Sequence, residues 1–282
     1  MNEEKWTEEI TPKRGIFDFK LKELWRYRDL VWMFVRRDIV SMYKQTVLGP
    51  LWFFISPLMT VIMFTFVFNT IAGIKTDGIP APIFYLTGTT LWNYFQQSFT
   101  SSSSTFVNNA GIFGKVYFPR LISPIASTIA NLIKFFIQII VLIALVLYYV
   151  FIEGYQLHLN LSLLLFPMLI VIMAGIAFGV GIITAALTTK YRDLQMFIGF
   201  GVSLLMYATP VIYPISQVPP KFQFYLMLNP IAPIIETFRY SVFGIGSFSW
   251  LYLAYSAAFM IVVLFLGTVV FNQVEKKFMD TV

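Results

Sequence analysis

The sequence lacks cysteine and contains one histidine, His158. Disulfides, thiolate metal sites and cysteine nucleophiles are therefore excluded, and a single histidine cannot form a histidine-based metal or catalytic cluster. Charge is also scarce, because Lys, Arg, Asp and Glu make up 12% of the 282 residues, whereas soluble proteins carry about 25%. With 58% hydrophobic residues and a mean hydropathy of +0.74, the chain has too little charge to cover a water-exposed surface. We therefore expect a membrane protein.

Six stretches with little or no charge are long enough to cross a bilayer, which takes about 20 apolar residues in a helix. The predicted spans are residues 51–72, 84–107, 121–152, 161–189, 194–213 and 250–274. The second span is rich in Ser, Thr, Gln and Asn, so lipid would be a poor neighbour for it. In the fourth span, Gly175 and Gly179 permit close helix packing, either inside one subunit or between two.

The distribution of basic residues predicts the topology. Of the 20 Lys and Arg residues, 16 fall in the N-terminal fifty residues, the turns near 115–120 and 190–192, and the tail after 274. By the positive-inside rule these segments, and hence both termini, are cytoplasmic. Because membrane topology accounts for the positive charge, we expect no nucleic-acid partner. We predict a cytoplasmic segment (1–50), a transmembrane domain (51–274) and a short cytoplasmic tail (275–282), with no cleavable signal peptide.

Residues 19–40 have the periodicity of an amphipathic helix. Its apolar face carries Leu21, Leu24, Tyr27, Val31, Phe34, Val35 and Ile39, and its polar face carries Lys22, Arg26, Asp29, Arg36 and Arg37. We expect this helix to lie along the cytoplasmic membrane surface. Packing against a soluble partner is the alternative.

Prolines interrupt the segment before the last span, residues 214–246. Proline removes a backbone donor, and broken helices persist at membrane depth only where protein or water shields the freed groups. We predict two short re-entrant helices on the outer side, at about 221–228 and 232–243. A plain extracellular loop is the alternative.

The chain shows no chemistry of its own. The glycines at 111 and 114 have the wrong spacing for a phosphate-binding loop, and no Ser or Thr follows Lys115 to meet magnesium. The carboxylates are scattered, the spans contain no Asp or Glu, and no metal site is indicated. We expect a transport protein without a catalytic site, driven by a partner.

Lys134 is the one charged residue inside a predicted span. It could bind an anionic headgroup or a sugar acid, or its ammonium could extend towards the cytoplasmic interface. We favour the second interpretation.

Several motifs together resemble one family, the membrane subunits of type-2 ATP-binding-cassette exporters for lipid-linked polysaccharides, such as O-antigen, capsule and teichoic acid. The matching segments are RRD (36–38), YKQTVLGPLW (43–52), LWNYF (91–95), KVYFPR (115–120), KYRDL (190–194), TPVIYP (209–214) and LNP (228–230). The resemblance spans nearly the whole chain and is specific in combination.

The resemblance implies an all-α polytopic homodimer in the bacterial inner membrane, with six spans per subunit, an N-terminal interface helix and two outer re-entrant helices. It also implies two cytoplasmic ATPase subunits that bind Mg-ATP, so this chain needs no cofactor. The inner turns would contact these ATPases through Lys115, Tyr117, Arg120, Lys190, Tyr191, Arg192 and Asp193.

A lipid-linked glycan has a pyrophosphate, which favours cations, and sugars, whose C–H faces stack on aromatic rings. The candidate headgroup residues are Arg26, Arg28, Arg36, Arg37 and Lys44. The candidate sugar-channel residues are Trp52, Phe53, Phe54, Trp92, Tyr94, Phe95, Tyr207 and Tyr213. Ordinary core packing and interfacial aromatic residues are the alternative for each of these rings.

The expected function is ATP-driven export of an undecaprenyl-linked polysaccharide, with O-antigen preferred. A type-2 exporter of a small drug or lipid is one rival. A membrane transferase acting on the same lipid carrier is a rival from another class, although it would require clustered carboxylates and a metal site. A purely structural membrane scaffold is a third.

Overall fold

The computed structural model describes residues 21–44, 46–191 and 193–278, apart from the side chains of 21, 22, 43, 190 and 275–278. Within these ranges the regular secondary structure is entirely helical, which confirms the all-α class. The helices are α1 (Leu21–Arg26), α2 (Arg28–Tyr43), α3 (Trp52–Phe64), α4 (Ala81–Ser103), α5 (Thr105–Asn108), α6 (Ala110–Phe113), α7 (Ile122–Phe151), α8 (Phe166–Lys190), α9 (Leu194–Tyr207), α10 (Pro220–Met227), α11 (Ala232–Phe243) and α12 (Trp250–Phe278). A 3₁₀ turn, Gly49–Leu51, precedes α3, and a π-helical segment, Thr65–Ile71, extends it.

Among the residues that the structure describes, four helical stretches are long and apolar enough to cross a membrane, so the chain is a multi-span membrane protein. They are Gly49–Ile71, Ile122–Phe151, Leu161–Thr189 and Trp250–Val274. The other two predicted spans differ from expectation. The helix in 194–213 ends at Tyr207, because Pro210 follows and the residue before a proline disfavours helical backbone. The helix in 84–107 begins at Ala81 and ends at Ser103.

Helix α4 occupies the centre of the bundle, where it contacts α3, α7 and α8. Most of its residues are buried, and the hydroxyls of Thr87 and Thr89 donate to the carbonyls of Ile83 and Tyr85, both at 2.7 Å. Its hydroxyl groups are therefore partly satisfied by its own backbone, and protein surrounds it where lipid would be costly.

Glycines allow α8 and α12 to pack closely. A Cβ on Gly179 would lie 2.8 Å from Cγ2 of Val263, and one on Gly267 would lie 2.8 Å from the Gly179 carbonyl oxygen. A Cβ on Gly175 would meet Met260 at 2.5 Å. The glycine pair in the fourth predicted span thus has a packing role within one subunit.

The amphipathic segment forms α1 and α2, which meet at Tyr27. Phe34 and Val35 are buried, and α2 packs against α7. The sequence predicts that the apolar face contacts the membrane surface, whereas in the structure it contacts the chain's own bundle. The opposite face exposes Trp25 and Trp32 beside the basic residues. A membrane-surface position for that exposed face stays a prediction.

Helices α10 and α11 lie where the sequence predicts short helices at 221–228 and 232–243. With 8 and 12 residues, both are too short to cross a bilayer. Gly244 ends α11 with φ at +70°, a left-handed conformation that favours glycine. Residues 232–239 of α11 are all buried, so protein shields this proline-flanked segment.

Candidate functional site

A polar cavity of about 270 Å³ lies between α2, α5, α7 and the end of α4. We call it the polar cavity. Its lining includes Arg37, Asp38, Ser101, Asn109, Ser123 and Asn131. Since polar side chains from four helices converge here at one end of a largely apolar bundle, the cavity is suited to a hydrophilic ligand.

The packing of α2 places Arg37 at this cavity. The buried rings of Phe34 and Phe118 meet edge to face at 5.5 Å, which fixes α2 against the turn that precedes α7. The Arg37 guanidinium then lies 4.5 Å from the Phe34 ring, and its Nη1 donates to Oδ1 of Asn109 at 3.4 Å. Its Nη2 lies 2.8 Å from Oδ1 of Asp38. Arg37 is thus held in place while its side chain remains partly exposed.

The other predicted headgroup residues do not line the polar cavity. Arg26, Arg28, Arg36 and Lys44 are all exposed. Arg28 lies over the Trp25 ring at 5.7 Å and 3.9 Å from the carboxylate of Asp29. Of the five candidates, the structure therefore brings Arg37 alone into the cavity.

Lys134 extends the polar surface deeper into the bundle. Its Nζ donates to Oδ1 of Asn131 at 2.8 Å and to Oε1 of Gln97 at 3.1 Å. Asn131 in turn donates from Nδ2 to Oγ of Ser101 at 3.3 Å. The lysine is therefore held by α4 and α7, in contrast to the expected extension towards the interface. Asn131 and Lys134, three residues apart on one helix, were a sequence signal that the prediction of site residues did not use.

The predicted channel aromatics fall into two groups. Trp92, Tyr94 and Phe95 on α4 are buried in the core of the subunit, where Tyr94 packs on Phe135 at a ring distance of 5.2 Å. Core packing accounts for these three rings in this conformation, so they line no open path within one chain.

The remaining aromatics are accessible. Trp52, Phe54 and Tyr207 are exposed, and Phe53 and Tyr213 are half-buried. The Tyr213 hydroxyl donates to the Tyr207 carbonyl at 2.8 Å. These rings lie on α3 and around the end of α9, and Gly49–Ile71 is the least buried of the four long apolar stretches.

Most of the predicted coupling residues are also accessible. Lys115, Tyr117, Tyr191 and Asp193 are exposed. Arg120 is buried, and its guanidinium lies 5.6 Å from the Phe113 ring, so it has a packing role inside the turn. The side chain of Lys190 and the whole of Arg192 lie outside the described residues.

A buried ion pair lies at the opposite end of the bundle. Arg239 Nη1 lies 3.4 Å from Oε1 of Glu236, and its guanidinium is 3.7 Å from the Phe84 ring of α4. It also donates to the carbonyls of Pro210 and, at 2.8 Å, Val211. Arg239 thereby joins α11, α4 and the segment after α9. Neither residue was singled out from the sequence, because the pattern of the predicted re-entrant helix at 232–243 does not show that Glu236 and Arg239 are both buried.

In the parts of the chain that the structure describes, no three His, Asp or Glu side chains come together as a metal site. The polar cavity is lined by Asn and Ser side chains and by the Arg37–Asp38 pair, and Lys134 adjoins it through Asn131. This arrangement can bind a polar or anionic group.

Comparison with known proteins matches residues 29–243 to the ABC-2 type transporter family. The chain is 28% identical over 254 residues to an O-antigen export system permease protein of Klebsiella pneumoniae, a match that covers 89% of this chain and 94% of the relative. A protein of the same name from Myxococcus xanthus is 26% identical over 78% of this chain and 82% of its own length.

A polysialic acid transport protein of Escherichia coli is also similar, with 24% identity over 87% of this chain and 93% of its own length. The family match covers most of the residues and includes the polar cavity and both ends of the bundle. The chain therefore belongs to the ABC-2 type transporter family, as a membrane permease subunit that has no catalytic site and works with a separate ATPase.

Proposed function

We propose that two copies of this chain form a channel that exports an undecaprenyl-linked polysaccharide, with O-antigen as the preferred cargo, across the bacterial inner membrane. The similarity along nearly the full length to two O-antigen permeases and a polysialic acid transporter supports a glycan cargo. Two cytoplasmic ATPases that bind Mg-ATP supply the energy. In this arrangement the termini and the polar cavity face the cytoplasm, and α10 and α11 are re-entrant helices at the outer exit.

The observation that carries this proposal is the polar cavity at the end of the bundle where basic residues are concentrated. A polyprenyl carrier keeps its chain in lipid, so its pyrophosphate arrives at the membrane interface, where Arg26, Arg28, Arg36, Arg37 and Lys44 are located. Arg37 stands at the cavity and is positioned to receive the first sugars. The headgroup is therefore bound where interface and cavity meet.

Exposed aromatic rings support a sugar path formed by two subunits. Trp52, Phe54 and Tyr207 leave large ring surfaces uncovered, and such surfaces stack on the C–H faces of sugars. Phe53 and Tyr213 extend this set, while the buried Trp92, Tyr94 and Phe95 would join it only after a conformational change. A second copy that covers α3 and α9 would place the exposed rings around one conduit.

The exposed turns supply the connection to the ATPases. Lys115, Tyr117, Tyr191 and Asp193 are accessible at the end of the bundle that carries α2. We assign these residues to contacts with the partner ATPases, together with Lys190, whose side chain lies outside the described residues, and Arg192, which lies wholly outside them. Arg120 supports the same surface from inside the turn.

Neighbouring arginines test the headgroup assignment. Cells that depend on this chain are complemented with Arg37→Ala or Arg36→Ala, and surface polysaccharide is measured at equal membrane levels of each variant. We expect Arg37→Ala to reduce export several-fold more than Arg36→Ala, because Arg37 lines the cavity and Arg36 does not. Equal export by both variants and the wild type would contradict the headgroup assignment. An unchanged amount of surface polysaccharide in cells that lack the chain would contradict the proposed export function itself.

A further inference from the structure

We propose that Lys134, Asn131 and Gln97 form an anion-binding subsite inside the membrane that contacts the phosphate of a lipid with a hydroxyl-bearing headgroup. Lys134 lies 12 residues after the start of α7, so at 1.5 Å per residue its Cα is about 18 Å along the helix from that end. An ionised group at this depth is costly and marks a functional position. The proposal takes the sugar-bearing lipid from the proposed function and places its phosphate here at a step after it has left the arginines at the interface, whereas the anion site itself does not depend on that function.

The contacts of Lys134 leave capacity for a ligand. An ammonium group has three N–H donors, and two are used by the neutral acceptors Asn131 and Gln97. Within the described part of the chain, no carboxylate lies within salt-bridge distance of Lys134, and the carboxylate of Asp38, which lines the polar cavity, is paired with Arg37. A phosphate oxygen would satisfy the third donor and neutralise the charge.

The surroundings fit a headgroup more closely than a free inorganic ion. Asn131 and Ser101, which are hydrogen-bonded to each other, belong both to the lysine cluster and to the lining of the polar cavity. The cavity thus runs from Arg37 towards the lysine, and it offers hydroxyl and amide groups along this route. A phosphate at Lys134 would place an attached sugar among these groups, where each hydroxyl can form hydrogen bonds.

Two lipids share this chemistry, namely a polyprenyl-diphosphate sugar and the bulk phospholipid phosphatidylglycerol. We would purify the full-length chain in detergent and measure by native mass spectrometry the binding of undecaprenyl-diphosphate N-acetylglucosamine and phosphatidylglycerol. Undecaprenol, which has the chain but no phosphate, is the third probe. Stronger binding of the diphosphate sugar assigns the subsite to cargo, and equal binding of both charged lipids assigns it to bulk lipid.

Four variants separate charge from packing. Lys134→Met removes the cation, and Asn131→Asp places a carboxylate beside it in nearly the same volume. We expect each to weaken binding of the charged lipids about tenfold or more, since a hydrogen bond to a charged group contributes about 1.5–3 kcal/mol. Lys134→Arg should retain binding. Lys75→Met, which removes a charge from an exposed loop, should also bind normally.

Asn131→Asp keeps the proposal testable if Lys134→Met does not fold. Wild-type affinity for both charged lipids in Asn131→Asp or in folded Lys134→Met would overturn the subsite. So would a wild-type protein that binds undecaprenol as strongly as the charged lipids. Binding is measured without transport, so a loss of lysine-dependent binding is distinguishable from a failure of the proposed export function.

Discussion

The rings of Phe34 and Phe118 meet edge to face at 5.5 Å, with interplanar angle 82°. Phe34 belongs to α2, and Phe118 belongs to the turn that precedes α7. This contact joins the N-terminal segment to the surface that we assign to the partner ATPase. Movement of the turn would therefore be transmitted to α2 and to Arg37, three residues after Phe34.

Replacing Phe34 with alanine should loosen this connection. Truncation of a buried phenylalanine costs about 3–5 kcal/mol, and Phe34 is 9% exposed. We expect a lower midpoint of thermal unfolding in detergent. Trp25→Ala is the control, because Trp25 is 72% exposed and its loss should leave the midpoint nearly unchanged. Equal effects of the two substitutions would contradict the observed packing of α2.

Gly179→Ala should separate α8 from α12. The added Cβ would approach Cγ2 of Val263 and the backbone nitrogen of Leu264 to within 3 Å, and such overpacking typically costs about 1–3 kcal/mol. We expect reduced thermal stability. Gly199→Ala in α9 is the matched control, since nothing lies within 4 Å of its added Cβ. A destabilised Gly199→Ala together with an unaffected Gly179→Ala would refute this account of the packing.

Arg239→Met should destabilise the end of the bundle formed by α11. It leaves Glu236 buried without its cation and removes donors from the carbonyls of Pro210 and Val211. Loss of one partner of a buried pair costs about 3–5 kcal/mol. Lys221→Met is the control because Lys221 is exposed. Thermal unfolding of both variants is the measurement, and equal midpoints would contradict a supporting role for Arg239.

Single cysteines test the topology, because the chain has none of its own. Lys75→Cys and Glu153→Cys should react with a membrane-impermeant maleimide in intact cells whose outer membrane has been made permeable. Lys190→Cys should react only after the inner membrane is opened. Labelling of Lys190→Cys from the outside would reverse the proposed orientation.

The sequence predicts the helices well where apolar length determines them, as at Ile122–Phe151 and Trp250–Val274. It also predicts the short helices α10 and α11, because prolines mark their limits. It overestimates the length of the helix that begins at residue 194, because the helix-terminating effect of Pro210 outweighs the hydropathy of 208–213.

Side-chain placement depends on packing that the sequence does not show. The pattern of α2 identifies Phe34 and Val35 as apolar-face residues, but it does not tell whether lipid or α7 covers that face. Similarly, the sequence does not distinguish Trp92 from Trp52, although Trp92 is fully buried and Trp52 is about half exposed. The contacts of Lys134 with Gln97 require α4 and α7 to be adjacent, which is a tertiary property.

The central claim is that this chain, with a separate ATPase, moves a lipid-linked glycan through the membrane. The direct measurement is the transfer of radiolabelled undecaprenyl-diphosphate glycan across the bilayer of proteoliposomes that contain this chain and its ATPase. The account predicts ATP-dependent transfer to the opposite leaflet that requires both chains. Robust ATP hydrolysis or glycan transfer by this chain alone, or no transfer by the complete complex, would contradict it.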